Sequence, residues 1–249
     1  MPCHTPILVA SSNGISGKKP YPRDVYVPCG SCVACKKRRV TDWCIRLEEE
    51  DKVSFSSFFI TLTYDTDSVP LIAPNGRYPM TLKQHDHTLF VKNLRKTNSR
   101  KIRYYMCGEY GSERKRPHFH YIMFNLDIHD FNFLGYDKWG NMLFQCDRVD
   151  NAWQNKGRIE ISTIGDGAFG YVAGYINKDS KVPAWESDKR VPEFSRMSQG
   201  LGSSYLTPQV IEWHRSSIDR NYYQRGKHKF PLPRYYRRKI WDERELRRQ

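Results

Sequence analysis

Arg116-Pro117-His118-Phe119-His120-Tyr121-Ile122-Met123-Phe124 is the stretch on which the fold turns. Apolar and aromatic residues dominate it, and the proline at its front marks a strand entered from a loop. Side chains alternate along a strand, so His118 and His120 share one face while Phe119 and Tyr121 point into a core. Two imidazoles on one face, two residues apart, form half of a metal site. Taken alone, such a pair also fits an ordinary exposed sheet face. A second strand-like run, Ile102 to Gly111, carries Glu109 near its end, and residues 111–116 read as the hairpin loop between the two. Antiparallel pairing brings the Glu109 carboxylate beside both histidines. One carboxylate and two imidazoles make a mixed oxygen and nitrogen set, suited to Mn²⁺ or Mg²⁺ with open positions.

Further along stands Tyr171-Val172-Ala173-Gly174-Tyr175-Ile176-Asn177-Lys178. On a helix, Tyr171, Tyr175 and Lys178 share one face at i, i+4 and a further i+3. A tyrosine hydroxyl is a covalent nucleophile, and a neighbouring ammonium stabilises developing phenolate or phosphate charge. The plainer reading of Tyr171 is helix packing.

The chain has 249 residues, enough for one sizeable core or a core with a small appendage. Lys and Arg total 41 against 27 acids, a net charge of +14, which favours polyanionic partners and salt-sensitive binding. With 16 Tyr, 12 Phe and 6 Trp as stacking platforms, nucleic acid is the better expectation than a merely soluble basic protein. No apolar run approaches the roughly 20 residues of a membrane span, and the opening lacks a signal-peptide stretch. A protein that stays where it is made, with no membrane partner, is expected.

Seven cysteines and no export signal argue against a disulfide framework. Cys29, Cys32 and Cys35 have the spacing of zinc or iron–sulfur ligands. Zinc is preferred, because nothing else points to electron transfer. Cys3 is the expected fourth ligand, with Cys44 or His4 as substitutes, and reduced cysteines without metal are the alternative. A helix over 36–51 follows, with Val40, Trp43, Ile45 and Leu47 apolar, and its first residues Lys36, Lys37, Arg38 and Arg39 are placed to grip phosphates. Arg114, Lys115 and Arg116 on the hairpin loop are further candidate DNA contacts.

The remaining pattern gives a strand over 56–64, a loop over 65–80 and a helix opening at Thr81. Beyond the motif strands come one strand at 142–146, a short helix near Trp153 and a strand over 158–163. Residues 179–205 read as a surface excursion. Thr207-Pro208 starts another helix, and 234–249 reads as a basic helix or tail. Antiparallel strands with helices on one face make a two-layer α+β domain. There is no G-x-x-x-x-G-K-[ST] loop, hence no visible NTPase.

Phe59-Ile60-Thr61-Leu62-Thr63-Tyr64, His118-Phe119-His120 and Tyr171 to Lys178, in this order, resemble the motifs of replication initiators in the HUH endonuclease superfamily. Within it the chain is most similar to the initiators of small single-stranded DNA phages, the microviruses, of gokushovirus type. Gly108-Glu109-Tyr110-Gly111 before Arg116-Pro117-His118, the paired tyrosines before Asn177-Lys178, and the Cys cluster before a basic helix carry that likeness, from Cys3 to about Tyr205. The resemblance implies a two-layer nuclease core with a central antiparallel sheet at 51–180. The Cys cluster with its basic helix would occupy 1–50, and a helical, basic extension 181–249. It implies that a tyrosine attacks single-stranded origin DNA with a metal at Glu109, His118 and His120, leaving a 5′-phosphotyrosine that is later religated. The Tyr-x-x-Lys pattern makes Tyr175 the first nucleophile and Tyr171 the second, with Lys178 beside them. A host helicase as partner and the bacterial host cytoplasm as compartment follow from the same likeness. A transposase or relaxase would share this chemistry. A non-catalytic single-stranded nucleic-acid-binding protein would share the charge and the Cys cluster but would not need the histidines, glutamate and tyrosines.

Overall fold

A computed structural model describes residues 2–9, 24–72, 79–111, 113–137, 140–164, 168–175, 182–183 and 185–246. In chain order these form β1 (Ile7–Val9), β2 (Val25–Val27), α1 (Val33–Asp51), β3 (Ser57–Thr63), α2 (Gln84–Thr97), β4 (Arg103–Tyr110) and β5 (Pro117–Phe124). There follow β6 (Asn132–Tyr136), β7 (Met142–Gln145), α3 (Asp147–Trp153), β8 (Ile159–Thr163), α4 (Ala168–Tyr175) and β9 (Phe194–Met197). The C-terminal part holds α5 (Pro208–Arg215), β10 (Tyr222–Arg225), β11 (His228–Pro231), α6 (Arg234–Ile240) and α7 (Glu243–Leu246).

The fold is α+β, built on a seven-stranded sheet of order β6-β7-β8-β3-β5-β4-β9. Every pairing in it is antiparallel. The motif strands β3, β5 and β4 are adjacent at its centre, where a strand is shielded by neighbours on both edges.

Helices cover both faces, not one as the sequence suggested. The reason lies in β4 and β5, which carry apolar side chains at both parities and so cannot leave either face to water. Met106, Phe119, Tyr121 and Met123 join Ile60 and Leu62 under Phe90, Leu94, Val149 and Trp153 of α2 and α3. On the opposite face Tyr105, Cys107, Ile122 and Phe124 lie against Leu47 of α1 and Val172 of α4. The histidines share the parity of Ile122 and Phe124, so they belong to the α1 and α4 side.

Helix α1 also faces the C-terminal part, where Ile45 packs with Tyr223, Leu232, Tyr236 and Ile240. Its acidic end, which the helix dipole does not favour, is committed to partners instead. Glu48 pairs with Arg225 at 2.5 Å, Glu49 accepts from Tyr223 and Lys52, and Glu50 pairs with Arg103 and accepts from the Gly202 N–H at 2.8 Å.

Two departures from the sequence reading concern the sheet edges and α2. Residues 181–249, expected as an extension, supply β9, which pairs with β4 from Tyr105 to Gly108. Helix α2 begins three residues after Thr81, because the Thr81 hydroxyl is used elsewhere: it accepts from the Val191 N–H at 3.0 Å and lies 3.3 Å from the Tyr110 hydroxyl. Helix α5 starts as expected, with Thr207 Oγ1 accepting from the Val210 N–H at 3.3 Å.

Gly157 fixes the end of β3 against β8. Its φ is +144°, and a Cβ there would stand 2.2 Å from the Thr63 carbonyl oxygen and 2.3 Å from the Asp65 nitrogen. These groups cannot retreat, since the Thr63 and Asp65 N–H groups donate to the Arg158 and Lys156 carbonyls at 2.9 Å each. Gly157→Ala should therefore cost about 3 kcal/mol, on the order of 10 °C in Tm. A thermal melt matching the parent protein would contradict this packing.

Candidate active site

Strand register assembles the site. Thr63 stands opposite His118 and Thr61 opposite His120 on one side of β5. On the other side Glu109 stands opposite His118, and Cys107 opposite His120. Opposed residues of an antiparallel pair share a face, so two threonines, two histidines and one glutamate converge.

The threonines hold the histidines. Thr63 Oγ1 lies 2.9 Å from His118 Nδ1, and Thr61 Oγ1 lies 3.0 Å from His120 Nδ1. A ring engaged at Nδ1 presents Nε2 to a ligand. His120 Nε2 is 3.0 Å from Glu109 Oε1, and the two residues are only 8% and 6% exposed. Neighbouring ligands of an octahedral ion at about 2.1 Å stand about 3 Å apart, so this nitrogen–oxygen pair has the spacing and the donor types for a hard divalent cation. His118 is turned differently. Its Nε2 faces Gly111, where a Cβ would stand only 2.9 Å away, and its ring centre is 6.1 Å from that of His120. The three ligand atoms do not all lie within 4.8 Å of one another.

An aromatic wall closes one side. Phe59 stacks on His120 with ring centres 5.8 Å apart and planes 9° from parallel. Tyr171 of α4 stands edge-on to Phe59 at 5.9 Å and to His120 at 6.4 Å. It is 47% exposed, so a substrate can reach it. Tyr175 is the last residue of α4; its side chain, and residues 176–181 with Lys178, lie outside the described residues.

The hydroxyls of Thr61 and Thr63 and the Phe59 ring are the functional groups that the residue-by-residue reading missed. Their signal was the alternation Phe59-x-Thr61-x-Thr63, in phase with His118-x-His120. Thr61→Val keeps the shape and removes the hydroxyl that holds His120. It should weaken divalent-ion affinity about 10- to 100-fold, read by direct titration with Mn²⁺, whereas Thr61→Ser should stay near the parent. An unshifted Mn²⁺ affinity in Thr61→Val would remove the positioning role.

Of the candidate DNA contacts, Lys37, Arg38, Arg39 and Arg114 are exposed, while Lys36, Lys115 and Arg116 are half-buried. Two of them also build structure. Arg39 Nη2 donates to the Gly30 carbonyl at 2.9 Å, and Arg116 Nη1 to the Tyr64 carbonyl at 2.9 Å.

Cys3, Cys29, Cys32 and Cys35 form a second cluster, their sulfurs all within 4.8 Å of one another. Cys3 Sγ is 3.5 Å from Cys29 Sγ and 3.8 Å from Cys32 Sγ, close to the roughly 3.8 Å edge of a tetrahedron with metal–sulfur bonds of about 2.3 Å. The group could hold a metal ion. Cys3 takes the fourth place, and neither Cys44 nor His4 is part of the group. The Ser31 hydroxyl, then that of Thr5, pulls the Cys29 thiol down to about 5, toward the thiolate that a soft metal needs. Burial pushes the Cys44 thiol up to about 11, which suits a packed side chain.

Residues 57–180, which span β3 to α4, match the family model described as replication-associated protein ORF2/G2P. The chain is 31% identical over 224 residues to replication-associated protein ORF2 of Spiroplasma virus 4, covering 86% of this chain and 67% of that one. It is 26% identical over 223 residues to replication-associated protein VP4 of Bdellovibrio phage phiMH2K, covering 84% and 65%. Replication-associated protein ORF4 of Chlamydia phage 1 is 25% identical over 226 residues, covering 85% and 52%. The chain thus spans about two thirds of the length of the first two relatives and about half of the third. No solved structure matches it significantly. On the strength of the family model and the Spiroplasma virus relative, the chain belongs to the ORF2/G2P family of phage replication-associated proteins.

Proposed function

We propose that this chain initiates rolling-circle replication as an HUH endonuclease, nicking single-stranded origin DNA and later resealing it. The observation that carries this reading is the Glu109–His120 pair, with its threonine-held imidazole, on the same face as an accessible tyrosine ring. Glu109, His118 and His120 would hold Mn²⁺ or Mg²⁺, which supplies Lewis-acid polarisation of a scissile phosphate when bound. The tyrosine oxygen attacks phosphorus and loses its proton, and the bond from phosphorus to the 3′ oxygen breaks. The 3′ oxygen leaves and takes up a proton, and the 5′ phosphate stays on the tyrosine. The phosphodiester is conserved in number, so the same step run backwards joins ends without a nucleotide cofactor. Two tyrosines one turn apart allow one to hold a 5′ end while the other cleaves the next.

Tyr175 is proposed for the first attack and Tyr171, which stands beside His120, for the second, the order that the Tyr-x-x-Lys pattern implies. Lys178 remains the proposed cation near the transferred phosphate. Lys36, Lys37, Arg38, Arg39, Arg114, Lys115 and Arg116 are proposed to bind the DNA backbone, and the site of action is the bacterial host, with a host helicase opening the duplex. Among the described residues no helix is long and apolar enough to cross a membrane. The test is incubation with labelled single-stranded origin DNA and Mn²⁺. A protein–DNA adduct that survives denaturing electrophoresis is expected, and its absence at every divalent ion tried would overturn the reading.

Structural zinc is the proposed occupant of the Cys cluster. Purified protein should carry about one equivalent of zinc per chain, and chelation should expose the backbone around Cys3 and at 29–35 to protease. Iron with labile sulfide in elemental analysis, or no metal, would reject zinc.

A further inference from the structure

Two basic segments distant in sequence meet on one surface. Helix α1 opens with Lys36, Lys37, Arg38 and Arg39, and its one acid before Glu48 is Asp42. Helix α6 carries Arg234, Arg237, Arg238 and Lys239 and no acid. Arg46 bolts the two helices together: its guanidinium lies 4.2 Å from the Trp43 ring on α1 and 4.2 Å from the Tyr235 ring on α6, and its Nε donates to the Leu201 carbonyl at 3.0 Å. The start of α6 is held by Asp42, which accepts from the Arg234 N–H at 3.3 Å. Arg237 consequently sits in the field of Arg38 and Arg234 as well as Asp42. At helical spacing Arg234, Arg237 and Arg238 form one stripe, beside the exposed Arg38. Such a concentration of like charge is costly without a polyanion.

Among the described residues this surface offers unpaired bases little to stack on: Trp43 and Tyr235 are half-buried and each has Arg46 over one face, and Tyr236 is fully buried. Single-strand binding depends on exposed rings, such as that of Tyr171, which is 47% exposed. Rigid helices presenting cations without rings suit a regular row of phosphates.

We infer that the joint surface of α1 and α6 docks the phosphate backbone of duplex DNA. The inference rests on the reading of this chain as a DNA-acting replication protein. It gives the initiator a grip on the double strand beside the segment it nicks.

The test compares the parent chain with Arg234→Gln/Arg238→Gln and Arg234→Lys/Arg238→Lys, residues outside the nicking site, after thermal melts show that all are folded. Fluorescence anisotropy with a short duplex of arbitrary sequence gives affinity across a salt series. The glutamine variant should lose about tenfold or more in duplex affinity, and its salt slope should fall by about two. The lysine variant should stay near the parent. Adduct formation with a single-stranded origin oligonucleotide should be unchanged in both. Unchanged duplex affinity in the glutamine variant would overturn the inference. So would an equal loss for single-stranded and duplex DNA, which would make the surface part of the single-strand track, or a lysine variant as weak as the glutamine one. Should the parent form no adduct while the duplex results hold, the nicking reading fails and this surface stands.

Discussion

His118→Ala or His120→Ala should abolish nicking while leaving DNA affinity close to that of the parent chain. The imidazoles offer nitrogen ligands on a sheet whose neighbours pin them, and Lewis-acid stabilisation of a phosphoryl transition state is worth several kcal/mol. A loss of about 4 kcal/mol corresponds to about a thousandfold in rate. His120→Ala should be the more severe, because His120 is the ring already paired with Glu109 at 3.0 Å. Binding should persist because it comes from phosphate contacts spread over a chain of net charge +14, and it should weaken steeply as salt rises. Single-turnover cleavage of an oligonucleotide, with anisotropy on the same variants, separates the two quantities. Cleavage at the parent rate in either variant would remove the metal site from the mechanism.

The second large effect belongs to the tyrosines. Phenylalanine keeps the ring that packs on Phe59 and His120 and deletes only the attacking oxygen. Tyr175→Phe should lose nearly all adduct with a simple oligonucleotide. Tyr171→Phe should keep the first cleavage but fail to release closed circles in a full replication assay. The double variant should form no adduct at all. Equal first cleavage by both single variants would make the tyrosines interchangeable, and strong adduct loss in Tyr171→Phe alone would reverse the order drawn from the Tyr-x-x-Lys pattern.

Much of this site is legible in sequence because strand alternation ties side-chain direction to residue number. His118 and His120 had to share a face, and one hairpin was enough to bring Glu109 to them. The Cys cluster is legible because its ligands lie three residues apart, and only the placement of Cys3 needed the fold. What escapes the sequence depends on long-range pairing. Strand β9 is four residues, Phe194–Met197, too short for a periodic signal, and β4 is what makes it a strand. Strand β6 carries Gly135 and a register shift between Phe133 and Gly135, which breaks the alternation. The covering of both faces was written in the doubly apolar β4 and β5, but the second cover, Leu47 of α1, lies more than fifty residues away in sequence. Glu48, Glu49 and Glu50 look like a solvated acidic run until β10 and Arg103 arrive beside them.

A phosphotyrosine link on α4 is tested most directly by mass spectrometry of the DNA-linked peptide after nuclease and protease digestion of the adduct. The predicted result is a nucleotide 5′-phosphate on Tyr171 or Tyr175, paired with a free 3′-hydroxyl on the released strand. A nucleotide on any other residue, or cleaved DNA bearing a free 5′-phosphate with no peptide attached, would contradict the account.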